Sequence, residues 1–235
     1  ARSAANAVEA AGEGSALYDA AFYLQLDEMQ SAFSQLAGEL HPSLAMALIN
    51  RSQLTRDVIL GRLRSAFGGV DGRPILPAAG VAAASDPLNI DEGLTFWSNG
   101  FGSRGRIDRD GNGRSADMKG GGVLCGRDGD WGGGRRAGVA AGYGRDAIEQ
   151  KSLSASADVD SYYVSAYAGG AIGPASLRLG AIHAFQDVET RRAISFSTLK
   201  ENLTAGYDAS TTQVFAEAAW RFDLDITRIE PYANI

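Results

Sequence analysis

Ala137-Gly138-Val139-Ala140-Ala141-Gly142-Tyr143 is the stretch from which the rest of the chain can be read. Its residues sort into two alternating sets. Ala137, Val139, Ala141 and Tyr143 form one, and Gly138, Ala140 and Gly142 form the other. A period of two is that of a β-strand, whose successive side chains point to opposite faces. One set is aliphatic and ends on an aromatic; the other carries almost no side chain. A strand in a soluble sandwich has an apolar face against the core and a broadly polar face against water. Glycine on the second face instead leaves space.

The same alternation recurs downstream. Tyr162, Val164, Ala166 and Ala168 oppose Tyr163, Ser165, Tyr167 and Gly169. Leu177, Leu179, Ala181, His183 and Phe185 oppose Arg178, Gly180, Ile182 and Ala184. Val214, Ala216, Ala218, Trp220 and Phe222 oppose Gln213, Phe215, Glu217, Ala219 and Arg221, and in Arg228–Ile235 the residues Ile229, Ala233 and Ile235 oppose Glu230, Tyr232 and Asn234. The connections are expected to alternate in length: short at Asp128–Gly134, long at Asp146–Asp160, tight at Gly173–Pro174, long at Asp187–Thr211, short at Asp223–Thr227. Outer-membrane barrels alternate short periplasmic turns with longer external loops. Tyr143, Phe185, Trp220 and Phe222 sit at strand ends, as an interfacial aromatic girdle requires.

Upstream the period changes. Residues 1–67 read as helical, 68–93 as a Pro/Gly linker, and 94–235 as strands. Leu17, Phe22, Leu24, Leu26, Met29, Phe33 and Leu36 carry the apolar positions of the first helical stretch; Pro42 interrupts, and Ser43 is positioned to cap a new helix running to Phe67. At 1.5 Å per residue that helix spans roughly 37 Å, more than the hydrocarbon thickness of a bilayer. Ile59, Leu60, Leu63 and Phe67 share one side, whereas Arg51 and Arg62 share another and Arg56 and Arg64 point elsewhere. Such a helix is either an ordinary surface helix with an apolar stripe or one lying inside a polar tube.

Composition narrows the function. The 235 residues carry a formal net charge of -6, with charges of both signs scattered along the chain. No basic stripe is available to neutralise phosphates, so nucleic acid is not an expected partner. The 30 glycines come with 9 Phe, 8 Tyr and 3 Trp, so the chain should fold. One cysteine, Cys125, precludes an intramolecular disulfide, and His41 and His183 are too far apart in sequence to suggest zinc. Cys125 shares the face of Val123 and reads as an outward apolar position. No apolar run reaches 18 residues, which argues against a membrane-spanning helix but not against spanning strands.

Asp108-Arg109-Asp110-Gly111-Asn112-Gly113 begins like a calcium loop, but the twelfth position is Lys119 where a bidentate Glu belongs; a hairpin turn is the better reading. Gly132-Gly133-Gly134 lacks the Lys-Ser/Thr ending of a phosphate loop, and Asp128-Gly129-Asp130 beside it reads as a turn. No nucleophile elbow is present, His183 reads as a girdle residue and His41 as a helix-break residue. No catalytic, metal or cofactor site is expected, and the chain is not read as an enzyme.

Several segments, in order, resemble the autotransporter translocator family. Ser52-Gln53-Leu54-Thr55-Arg56-Asp57-Val58-Ile59-Leu60-Gly61-Arg62-Leu63-Arg64 looks like its linker helix, and Leu36-Ala37-Gly38-Glu39-Leu40-His41-Pro42-Ser43 like the element before it. Phe96-Trp97 through Gly102-Ser103-Arg104-Gly105 resembles the first strand, Gly121-Gly122-Val123-Leu124-Cys125-Gly126 the second, Gly138–Tyr143 the third, Asp160-Ser161-Tyr162 the opening of the fourth, and Glu230-Pro231-Tyr232-Ala233-Asn234 the seventh. The resemblance implies an all-β fold with an N-terminal helical segment: a transmembrane antiparallel β-barrel, about seven of its twelve strands present, threaded by an α-helix. It also implies the bacterial outer membrane, export of an N-terminal passenger domain, and insertion by the outer-membrane barrel assembly machinery. The corresponding division is 1–42 end of passenger or helical junction, 43–67 linker helix in the pore, 68–93 linker, and 94–235 incomplete barrel. Both ends of the chain read as cuts. Arg51, Arg56, Arg62 and Arg64 are then expected to face carboxylates of the lumen, for which Glu217 and Glu230 are the candidates. The competing reading is a soluble all-β binding or adhesin domain with a helical arm. It requires Val139, Val164, Leu179 and Val214 to be buried, where a barrel exposes them.

Overall fold

The computed structural model describes residues 2–38, 40–68, 80–84, 88–91, 93–107 and 115–235. Four helices come first: α1 (Arg2–Ala11), α2 (Ala16–Phe22), α3 (Leu26–Leu36) and α4 (Leu40–Ala66). Strands follow: β1 (Gly80–Ala84), β2 (Leu88–Asp91), β3 (Leu94–Ile107), β4 (Ala116–Asp130), β5 (Arg135–Gln150), β6 (Ala155–Ile172), β7 (Ala175–Phe196), β8 (Leu199–Trp220), β9 (Phe222–Leu224), β10 (Thr227–Ile229) and β11 (Tyr232–Asn234). The main sheet is antiparallel in the order β1-β3-β4-β5-β6-β7-β8-β11, with β2 also on β3; β9 and β10 form a small separate hairpin. Each of β3 to β8 touches α4. Six consecutive strands can meet one helix only if the sheet curls around it, and the result is seven barrel strands, β3–β8 and β11, wrapped on a central helix.

The alternation sets the two faces. Val139, Val164, Leu179 and Val214 are 54%, 49%, 46% and 76% exposed on the convex side. A soluble sandwich would bury them, so the soluble reading is not favoured. The concave side holds Leu124, Ala140, Tyr163, Tyr167, Ile182 and Phe215, all buried against Val58, Ile59, Leu60 and Leu63 of α4. Inward glycines make room mostly for a neighbouring strand's side chain: a Cβ on Gly126 would stand 2.5 Å from the Trp97 ring, and one on Gly180 2.6 Å from Phe215. Gly169 instead receives Phe67 from the helical segment.

Three expectations need correction. Pro42 does not interrupt a helix; it lies in the first turn of α4, where backbone N–H groups have no intrahelical acceptor to lose. The stretches Asp146–Asp160 and Asp187–Thr211 are not long loops. β5 and β6 run on to a connection at 151–154, and β7 and β8 meet across Ser197 and Thr198. Their convex faces become charged there, which removes the apolar alternation while leaving the strand intact. Finally, Asp128-Gly129-Asp130 is not a turn but the end of β4; the turn is Gly132–Gly134, all three at positive φ. At the far end, Arg228 and Ile229 belong to the small hairpin, and the seventh barrel strand starts at Tyr232, just after Pro231, whose carbonyl accepts from the Trp220 N–H.

Of the linker 68–93, the described part contributes β1 and β2 on the free edge of β3. The calcium-like run 108–113 lies outside the described residues.

Candidate functional site: the helix-filled lumen

At 3.6 residues per turn, Arg51 and Arg62 fall within about 20° of one another around α4, whereas Arg64 lies about 200° from Arg62. The barrel wall answers in both directions. The Arg51 Nε donates to Asp146 Oδ2 on β5 at 3.0 Å, and its Nη2 donates to Oδ1 of the same carboxylate. The Arg62 Nε and Nη2 donate to the two oxygens of Asp128 on β4, both at 2.8 Å. On the opposite side, the Arg64 Nε donates to Glu217 Oε1 on β8 at 2.9 Å, with Nη2 on Oε2. Three arginines of one helix thus make three two-point pairs to three strands. This fork geometry fixes direction as well as distance.

The wall carboxylates have further donors. Asp128 also accepts from Arg136 Nη1 on β5 and from the Tyr167 hydroxyl on β6 at 3.1 Å; that hydroxyl in turn accepts from Trp97 Nε1 on β3 at 2.7 Å. One carboxylate therefore ties the helix to four adjacent strands. Glu217 accepts from Arg178 Nη1 on β7 at 2.7 Å, and Arg178 Nη2 donates to Glu230 at 2.5 Å. The Arg64 guanidinium also lies 4.4 Å from the Tyr232 ring centroid, and that of Arg51 5.2 Å from that of Phe101. Asp128, Arg178 and Glu217 are almost wholly buried, where an uncompensated charge costs several kcal/mol.

Arg56 behaves differently. Its Nε and Nη2 both donate to Asp57 of the same helix, each at 3.1 Å. Glu230 meets α4 only through Arg178 and Glu217 in this network. Sequence reasoning missed Asp128, Asp146, Arg136 and Arg178. Parity held the signal: Asp128 continues the inward row Leu124 and Gly126, Asp146 that of Gly138, Ala140, Gly142 and Gly144, and Arg178 that of Gly180 and Ile182.

Further toward the α4 N-terminus the contacts turn apolar. Leu40, Leu44 and Ala47 pack with Ala116, Ile148, Leu153, Ala157, Val159 and Val188. Inside the lumen, Ser43 Oγ of this part of α4 accepts from Gln150 Nε2 at 3.0 Å.

On the outside, Tyr143, Tyr162 and Phe185 form one register row, and His183, T-shaped on Phe185, shares a hydrogen bond with Thr212 at 2.8 Å. The next outward row is Arg145, Asp160, Asp187 and Asp208. From Leu177 to Phe185 the outward face of β7 is apolar or aromatic apart from His183, and about 9 to 11 residues suffice for a tilted strand to cross a bilayer. Beyond the row, β7 and β8 continue nine residues each, about 30 Å along the strand. Cys125 is exposed on the outward face, beside Val123. Among the described residues no three His, Cys, Asp or Glu side chains converge as a metal site would require, and no helix is long and apolar enough to cross a membrane, which says nothing of crossing by strands.

A family model described as the autotransporter beta-domain matches residues 96–235. Two curated relatives, both extracellular serine proteases of Serratia marcescens, are each 29% identical over 208 residues; the match covers 88% of this chain and 18% of each relative. Among solved structures, the translocator domain of the autotransporter NalP from Neisseria meningitidis is 15% identical with a TM-score of 0.48, covering 66% of this chain and 57% of that one. The siderophore receptor PiuA from Acinetobacter baumannii is 13% identical with a TM-score of 0.39, over 60% of this chain and 29% of that one.

Proposed function

This chain belongs to the autotransporter beta-domain family, and from that membership we propose how its residues hold a transport pore closed once export is complete. The domain is an outer-membrane translocator unit of type V secretion, through which an upstream passenger reaches the cell surface. We assign α4 the part of the plug, and the pairs Arg51–Asp146, Arg62–Asp128 and Arg64–Glu217 the part of its fastenings. The observation that carries this assignment is the three two-point pairs from one helix to three different strands. A helix lying on a surface would have no such partners on opposite sides. Arg178 and Glu230 brace Glu217 from the wall, and Arg136, Tyr167 and Trp97 brace Asp128.

The domain itself supplies passage and anchorage, and no catalytic role is assigned to its residues. The chain spans 18% of the length of the two curated relatives. We place their protease activity in the remainder of those proteins, and propose a secreted hydrolase as the passenger carried here. Insertion is assigned to the outer-membrane assembly machinery, which such a barrel needs because an open sheet edge is not tolerated in lipid.

The test uses the whole protein, expressed with its signal peptide. A stable closed barrel in the outer-membrane fraction migrates differently on a gel before and after boiling. Equal migration, with the protein recovered soluble from the periplasm, would overturn the translocator reading. The role of the fastenings is tested separately by removing the wall carboxylates, Glu217 first.

A further inference from the structure

The lumen network leaves one part of the molecule unused: the far tip of the β7–β8 hairpin, with the three helices folded on it. Ile194 and Phe196 of β7 are buried there, with Leu199 and Leu203 of β8 beside them. Their cover is Val8 of α1, Ala20 and Ala21 of α2, Leu24, and Ala32 of α3, with Met29, Phe33 and Leu36 at the margin. The corner that leads into α4 is fixed as well. The Ser195 N–H donates to Gln35 Oε1 at 2.8 Å, the His41 Nδ1 and Tyr207 hydroxyl lie 3.5 Å apart, and Gly38 turns at φ +66° beside the Arg192 guanidinium.

We propose that the tip of the β7–β8 hairpin is a docking platform for residues 2–38, which fold onto it only after leaving the pore and so latch α4 against sliding back. The inference rests on the translocator reading. Helices of 10, 7 and 11 residues are too short to persist alone in water, so α1, α2 and α3 depend on the apolar face they share with the hairpin. That face lies beyond the outward acidic row, on the side of the molecule where α4 begins. α4 already occupies the concave face between Asp146 and Glu217, so the packed three-helix arrangement could lie there only by displacing it. Folding of 2–38 is therefore confined to the exit side. Because α3 passes into α4 through the pinned corner at Gly38, the docked unit sets the axial position of the plug.

The experiment is surface proteolysis of cells displaying the complete protein. Proteinase K is added to intact cells, and the N-terminus of the membrane-retained fragment is read by mass spectrometry. In the unaltered protein the fragment should begin upstream of Ser15. In Ile194→Asp/Phe196→Asp it should begin near Leu40, because a charged tip releases the helices. Ala20→Asp reaches the same contact from the helical side, leaves every strand untouched, and should give the same shift. Lys200→Asp, on the exposed face of the hairpin, should leave the fragment as it is. The latch is overturned if the unaltered protein is already trimmed to about residue 40, or if Ala20→Asp retains the full fragment. Boiled and unboiled samples are run beside each digest. A heat-shifted barrel with an unlatched segment refutes the latch alone, whereas loss of the heat shift in the unaltered protein refutes the translocator reading.

Discussion

The two halves of α4 meet the same wall by different chemistry. From Leu40 to Leu48 the helix presents Leu40, Leu44, Ala47 and Leu48 to an apolar surface, with neutral hydrogen bonds of Ser43 to Gln150 and of His41 to Tyr207 beside it. From Arg51 to Arg64 it presents aliphatic side chains too, but adds three arginines, each on its own carboxylate. Apolar contact is non-directional and tolerates rotation or a small slide. A two-point Arg–carboxylate pair tolerates neither. In the proposed plug, the Arg51–Arg64 half fixes the angle and height of the helix, and the Leu40–Leu48 half closes the space around it. Since a buried ion pair adds little net stability over apolar packing, the arginines are best explained by position, not by strength.

The sharpest way to break this contrast is Glu217→Ala. It removes the carboxylate that Arg64 and Arg178 share in a buried site, leaving Glu230 on Arg178, and loss of one partner of such a cluster costs about 3–5 kcal/mol. In the complete protein, single-channel recordings in planar bilayers should show raised conductance, and the temperature at which the folded band is lost on a gel should fall. Unchanged conductance would sink the fastening role. Leu44→Ala removes a buried side chain from the apolar half, at about 2–5 kcal/mol. Here the folded band should again be lost at lower temperature, but resting conductance should rise less than in Glu217→Ala. An equal or greater rise would mean that the apolar seal, not the ion pairs, holds the plug.

How far the sequence could be read follows the same division. The strands whose outward face is apolar, in Ala137–Tyr143 and Leu177–Phe185, were legible because lipid selects a simple pattern. Where the same strands rise past Tyr143, Tyr162 and Phe185, water selects Arg145, Asp160 and Asp187 instead, and the pattern reads as loop. The arginines of α4 stood out as unusual on a helix, but their partners did not. Asp128 sits beside glycine and another aspartate, which is turn chemistry, and Asp146 falls where the alternation changes character. Only pairing register separates an inward aspartate at the end of a strand from one in a turn, and register is set by the neighbouring strands. The packing of α1–α3 on the hairpin tip was beyond reach for a further reason: it joins residues some 170 positions apart along the chain through ordinary aliphatic side chains that carry no motif.

A smaller effect tests whether the wall reads the helix through its own packing. Gly126→Ala places a methyl 2.5–2.8 Å from three atoms of the Trp97 ring. Overpacking of this kind costs about 1–3 kcal/mol. Trp97 donates to the Tyr167 hydroxyl, which donates to Asp128, so the displaced ring disturbs the Arg62 fastening from a distance. The expected result is a modest fall in the unfolding temperature with a small rise in conductance. Adding Arg62→Ala to Gly126→Ala should then raise conductance less than the two single effects summed, since both act through one carboxylate. Strict additivity would separate the Trp97–Tyr167 chain from the fastening.

Arg56→Ala should do least. Its side chain is a fifth exposed and, among the described residues, bonds Asp57, its neighbour on the same helix, at 3.1 Å. Part-exposed pairs of this kind are worth about 0–1 kcal/mol, and neither member reaches the wall through this pair. Arg56→Ala therefore removes a lumen charge while leaving every link between helix and strands in place. That makes it the discriminating control for the contrast between the two halves. If fastening depends on which atoms are paired, its conductance trace should overlie that of the unaltered protein. If Arg56→Ala opened the pore as far as Glu217→Ala, then the balance of charge in the lumen, and not the geometry of three arginine forks, would be what keeps the helix in place.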